Sequence, residues 1–154
     1  MGEENRTGAE VAAFFDRYSA AFAAYDAAAL AALFDRPLTV LTAAHPLTHS
    51  DDTAVTHYVE AMFATYHGIG LAWPVPAAVW AWPCGPDLAR AEVLWLLRSE
   101  DRAEIMRFST SYVLRRDAVA GWKLAVVIAY EEPGKLPGSQ EQVPGPAFPG
   151  QQKI

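Results

Sequence analysis

Apolar residues at Val11, Phe14, Phe15, Tyr18, Phe22 and Tyr25 recur at spacings of three, four and seven, which lays one aromatic stripe along a helix and leaves Asp16 and Arg17 off it. The alanines between them favour the helix at little side-chain entropy cost. Residues 1–9, small and polar without a period, are expected to be a flexible lead. Asp26 stands where a short second helix needs an N-cap; Leu30, Leu33 and Phe34 give that helix its apolar face, and Pro37 stops it. Leu38 to Thr42 reads as a short strand, and His45 to Asp52, with Pro46 inside it, as a polar connection. Ser50, Asp51 and Asp52 offer caps to a third helix. Its apolar face is Val55, Tyr58, Val59, Met62, Phe63 and Tyr66, and Gly68 and Gly70 end it.

After residue 70 the period drops to two, predicting strands at 71–82, 88–99, 103–116 and 121–131. Pro74 and Pro76 cannot donate to a ladder, so the first strand is expected to bend or lie at an edge. In the second strand Ala89, Ala91, Val93, Trp95 and Leu97 share one face, and Arg90, Glu92, Leu94, Leu96 and Arg98 the other. A turn centred on Glu100-Asp101 sets Trp95 opposite Met106 and Glu92 opposite Ser109, making Glu92 and Arg107 diagonal neighbours. Helices followed by an antiparallel sheet define an α+β class. The last strand is apolar on both faces, and helices cover only one, so a second copy is the economical cover for the other. From Pro133 five prolines and four glycines fall in the last 22 residues, which predicts a tail over 133–154 without regular secondary structure.

Charge narrows the partners. With 12 Lys+Arg against 18 Asp+Glu, a formal net charge of −6 and 19% charged residues, the chain lacks the clustered cations that displace counterions from nucleic acid. Cys84, the one cysteine, has no intrachain partner, so a disulfide scaffold is excluded and a reducing compartment is expected. Polar residues interrupt every long apolar window and no basic, then apolar, segment opens the chain. The expectation is a soluble, cytoplasmic protein with no membrane contact. Phosphate-cradling and dinucleotide-binding glycine motifs are missing, so no cofactor is implied.

Two segments carry a resemblance: Tyr18-Ser19-Ala20-Ala21-Phe22 leading through Asp26 to Leu33-Phe34, and Phe108-Ser109-Thr110-Ser111-Tyr112-Val113-Leu114-Arg115-Arg116 followed by Gly121-Trp122-Lys123-Leu124. With the element order, residues 10–132 resemble the SnoaL-like and ketosteroid-isomerase-like branch of the nuclear-transport-factor superfamily. The resemblance implies three N-terminal helices packed on a curved, mainly antiparallel sheet. That arrangement forms a cone with an internal pocket, often in a homodimer. It also matches Tyr18 to a tyrosine that hydrogen-bonds a substrate oxyanion, while Thr42 falls where the isomerase pattern has its carboxylate base. Threonine does not abstract a carbon-bound proton at neutral pH without activation.

The candidate chemistry follows from these placements. Tyr18 is a phenol donor near the expected interior. Glu92 and Arg107 each interrupt an apolar strand and read as a base or acid with an orienting cation, or else as a satisfied ion pair. His57 lies at the edge of the third helix's stripe and suits proton transfer. His45 and His49 with Asp51 and Asp52 suit a metal in composition but lack a defined geometry, so no metal is expected. Phe22, Tyr58, Met62, Trp95, Phe108 and Tyr112 are the expected walls of a ligand pocket. The functional expectation is a small-molecule-binding domain for a small, mostly apolar ligand. If it is catalytic, a cofactor-independent proton transfer on a carbonyl or hydroxyl compound would use Glu92 or His57 as base, with Tyr18 or Arg107 steadying the oxygen. The alternative is a non-catalytic structural or protein-interaction domain.

Overall fold

The structure is a computed structural model that describes residues 2–131; the expected tail over 133–154 lies outside the described residues. Helix α1 spans Gly2–Ala23 and buries Val11, Phe14, Phe15, Tyr18 and Phe22, the aromatic stripe of the sequence. It begins well before that stripe: residues 2–8 are helical where a flexible lead was expected, and Thr7 is already buried. Helix α2, Ala27–Ala31, is capped by Asp26, whose carboxylate accepts from the Ala29 N–H at 3.0 Å. Strand β1, Phe34–Leu41, starts earlier than its β-branched run suggests, so Phe34 is a strand residue and not a helical one. The polar connection contains strand β2, Pro46–His49. Asp51 caps helix α3, Asp52–Gly68, accepting from Ala54 N–H at 2.9 Å.

Strands β3 (Trp73–Pro83), β4 (Leu88–Arg98), β5 (Glu104–Asp117) and β6 (Gly121–Ile128) complete a six-stranded sheet of order β2-β1-β6-β5-β4-β3. Only the β1–β6 pairing is parallel. The sheet is curved and does not close, leaving β2 and β3 as edges. The proline-bearing strand β3 takes an edge and slips register between Pro76 and Ala78, where proline nitrogens have no ladder bond to lose.

The β4–β5 register differs from expectation by two residues. Trp95 faces Phe108, Val93 faces Thr110 and Glu92 faces Ser111. The connection between them is longer than a two-residue turn, running through Arg102 with φ at +73° and a register slip at Leu97/Arg98. A shift of two preserves which face each side chain occupies. It does separate Glu92 from Arg107, which now lies four residues from Glu92's partner, roughly 13 Å along the strand.

Helix α1 lies across the inner face of the sheet and is tied at both ends. Glu10 accepts from the Trp122 indole N–H at 2.9 Å and pairs with Arg116 at 3.1 Å; the Trp122 bond, with help from Arg116, holds its carboxyl below the usual range. Further along, the Ser19 hydroxyl donates to the Pro74 carbonyl, and Tyr25 Oη donates to the Leu71 carbonyl at 2.6 Å. Between these ties Phe15 is fully buried, its ring centroid 4.9 Å from Tyr112 and 6.1 Å from Trp95.

Candidate functional site

Toward the C-terminal half of α1 the core opens into a cavity. Tyr18 and Phe22 project from α1, and Tyr58, Met62 and Tyr66 from α3, each set at helical spacings of three or four so that one face supplies them all. The floor is the inner face of the sheet: Trp95 and Leu97 from β4, Phe108, Thr110 and Tyr112 from β5, and Val127 from β6, alternate residues as the pleat requires. Leu71 and Pro74 complete the rim.

The empty space between these atoms is about 410 Å³, part of it open to solvent, and the centre of a water molecule fits in about 30 Å³ of it. One water needs roughly 10–15 Å³ of such space, so this part of the hollow holds about two or three.

The walls carry hydrogen-bonding groups without formal charge. Among the described residues that line the cavity there is no Asp, Glu, His, Lys, Arg or Cys. Its polar groups are four tyrosines, Trp95 and Thr110. Trp95 Nε1 donates to Tyr112 Oη at 2.9 Å in a buried bond that fixes both rings, and the Tyr18 ring lies 5.5 Å from that of Trp95. Thr110 is 1% exposed, and its Oγ1 meets no hydrogen-bond partner among the described residues.

The ionisable residues singled out in the sequence stand elsewhere. Glu92 belongs to the outer-facing series of β4 and accepts hydrogen bonds from the Ser111 and Tyr130 hydroxyls. Arg107 is not its partner: it binds Glu104 through Nε at 3.0 Å and Nη2 at 2.7 Å, at the start of the same strand. That exposed carboxylate pushes the Arg107 guanidinium up and is itself held down by the same bond. His57 is exposed on α3. Thr42 is exposed beyond the end of β1, its hydroxyl accepting from Ala44 N–H at 3.2 Å within the hairpin turn. His49 stacks on Tyr58 with ring centroids 4.8 Å apart, and no three metal-ligating side chains converge among the described residues.

The remaining seven named residues, Tyr18, Phe22, Tyr58, Met62, Trp95, Phe108 and Tyr112, share the cavity's wall. Sequence reasoning passed over Thr110, Leu97, Tyr66 and Val127 as site residues. Their signal was parity: Thr110 alternates with Phe108 and Tyr112, and Leu97 with Trp95, so each pair shares a face.

Elsewhere, Asp35 is buried and takes a bidentate contact from Arg115, Nε at 2.6 Å and Nη2 at 3.0 Å, which holds its carboxyl below the usual range. No described helix is long and apolar enough to cross a membrane.

Comparison with known proteins bears on this geometry. The family described as NTF2-like protein (DUF6841) matches residues 9–132. No curated protein matches the chain. Solved structures do. An NTF2-like protein with a cystatin-like fold from Novosphingobium aromaticivorans is 19% identical over 80% of both chains, with a TM-score of 0.59. A protein of unknown function from Nostoc punctiforme is 15% identical over 83% of this chain and 92% of its own, at 0.65. A candidate dehydratase of the NTF2-like family from Streptomyces avermitilis is 14% identical over 80% and 94%, at 0.61. At these identities the likeness is one of fold.

Proposed function

The chain belongs to the NTF2-like family DUF6841, and from that premise we propose that it is a SnoaL-like domain that binds a small, uncharged, mostly apolar molecule in the cavity between α1, α3 and the sheet. The observation that carries this reading is the lining itself: aromatic and aliphatic walls with a few neutral polar groups and no ionised side chain. A charged ligand entering there would leave its charge desolvated and unpaired, at a cost of several kcal/mol or more. Proton abstraction from carbon needs a base whose pKa lies near the working pH, whereas a phenol sits near ~10. Glu92, the best base by composition, opens onto the other face of the sheet. Binding, rather than base-catalysed turnover, is therefore the function the lining favours.

The outer face supports the dimeric part of the reading. Trp80 and Trp82 stand opposite Glu92 and Arg90, and with Leu88 they are 40–48% exposed. Such a row on a sheet face that no described helix covers suits a second copy of the chain. Cys84, exposed and unpaired, suits a reducing cytoplasm.

The test is titration with ethylbenzene and with benzoate, followed through the Trp95 Nε1–H resonance. Saturable, one-to-one shifts with ethylbenzene and none with benzoate are expected, and Met62→Trp, which fills the cavity from α3, abolishes them while the circular dichroism is retained. Absence of saturable shifts with both ethylbenzene and benzyl alcohol, each up to its solubility limit, overturns the reading.

A further inference from the structure

Within a wall of aromatic and aliphatic groups, Thr110 is a departure that packing does not require. It sits mid-strand on β5 opposite Val93, where valine would fill the same space; the residue is 1% exposed and its Oγ1 finds no partner among the described residues. A buried hydroxyl without a hydrogen bond costs about 1–3 kcal/mol in mutational data, and buried polar atoms in folded proteins are partnered in the large majority of cases. The neighbouring β5 hydroxyl shows the ordinary solution: Ser111, on the other face, donates to Glu92. The walls beside Thr110 are also constrained, because the Trp95 indole N–H is committed to Tyr112 Oη.

We infer that Thr110 is the polar anchor of the cavity, and that the ligand it recognises is a compact neutral alcohol or ketone whose single oxygen pairs with Thr110 Oγ1. The apolar body of that ligand lies against Phe22, Met62, Leu97 and Val127. This inference rests on the small-molecule reading above and adds the chemical class. A threonine hydroxyl brings one donor and two acceptor lone pairs, so it serves a carbonyl by donating and a hydroxyl by either sense. A site built around one hydrogen bond discriminates against the analogue lacking that oxygen, because binding the hydrocarbon leaves the buried hydroxyl orphaned.

The experiment uses a matched pair, benzyl alcohol and ethylbenzene, which share shape and differ in OH against CH₃. Dissociation constants are measured for the wild-type chain, Thr110→Val and Thr110→Ser. In the wild type benzyl alcohol is expected to be favoured, relative to its cost of leaving water, and this preference falls about tenfold in Thr110→Val, the factor for one net hydrogen bond. Thr110→Ser, which keeps the hydroxyl, retains most of it. The free Thr110→Val protein unfolds at a higher urea concentration than the wild type, since the orphaned group has gone. An unchanged alcohol-to-hydrocarbon ratio in Thr110→Val overturns the inference while leaving the cavity reading in place. So does a lower urea midpoint, which would mean the hydroxyl has a protein partner. If neither probe binds the wild type, the cavity reading itself falls and the anchor with it.

Discussion

On the inner face of β5, Thr110 is 1% exposed with a hydroxyl that meets no partner among the described residues, whereas one residue along, on the outer face, Ser111 donates to a Glu92 carboxylate that also accepts from Tyr130. The same strand thus handles polar atoms in two ways. Outside, charge is present and answered: Glu92 by two hydroxyls, Arg107 by Glu104, and Arg90 by the Trp82 ring at 4.9 Å. Inside, charge is missing from the lining and one hydroxyl is left unanswered. A satisfied network describes a finished surface, and an unsatisfied atom in a hollow marks where a molecule from outside completes the bonding. The chemically conspicuous residues of this chain are therefore poor guides to its site, and an inconspicuous threonine is a better one.

The largest effect that sharpens this contrast comes from cutting the inner face. Phe15 is fully buried between α1 and the sheet, so Phe15→Ala should cost about 3–5 kcal/mol of unfolding free energy, read from urea denaturation. The matched outer change, Trp80→Ala at a side chain 48% exposed, should cost the isolated subunit little and instead shift sedimentation equilibrium from dimer to monomer. A Trp80→Ala protein that sediments as the wild type would break the assignment of the outer face to a second copy.

A smaller effect separates the carboxylate from the cavity. Glu92→Ala leaves the Ser111 and Tyr130 hydroxyls without their shared acceptor and should cost about 1–2 kcal/mol, the part-exposed site letting water answer some of the loss. Ethylbenzene affinity should not change. A severalfold loss of that affinity with the fold intact would couple the two faces and restore Glu92 as a site residue.

Alternation makes much of this legible in the sequence. The period of two in β4 sets Trp95 and Glu92 on opposite faces, so the two were never able to line one cavity. The α1 stripe and the Asp26 and Asp51 caps are likewise readable, because each rests on local spacing. What stayed hidden depends on partners distant in sequence. The β4–β5 register moved by two because the connection uses Arg102 at positive φ, a conformation that glycine usually announces. Strand β2 is four mostly exposed residues whose pairing with β1, not their own pattern, makes them a strand. Residues 2–8 show no apolar period, and α1 continues through them all the same. The orphaned state of Thr110 is a statement about everything around it and has no sequence signature.

The finest test of the two-face contrast is its pH dependence, because charge confined to the outer side should leave the inner side indifferent to acid. Arg115, in the same outward series as Ser111 and Val113, reaches over β6 to the buried Asp35 of β1. Hydrogen bonds from Arg115 chiefly, with the Arg36 backbone N–H and the Arg115 and Lys123 charges adding to them, hold the Asp35 carboxyl below its ordinary value of 3.8 against the upward push of burial. The unfolded chain therefore takes up this proton at higher pH than the folded one. The stability the pair contributes is whole above about pH 4 and is lost as the pH falls through the lowered folded-state value. Asp35→Asn should accordingly flatten the acid limb of unfolding free energy against pH below that point, measured by urea denaturation at a series of pH values. Over the pH range in which the chain stays folded, the ratio of benzyl alcohol to ethylbenzene affinity should be the same in wild type and variant. An acid limb as steep in Asp35→Asn as in the wild type would remove Asp35 from the account of acid sensitivity. A binding ratio that followed the limb would show that the inner face senses charge after all.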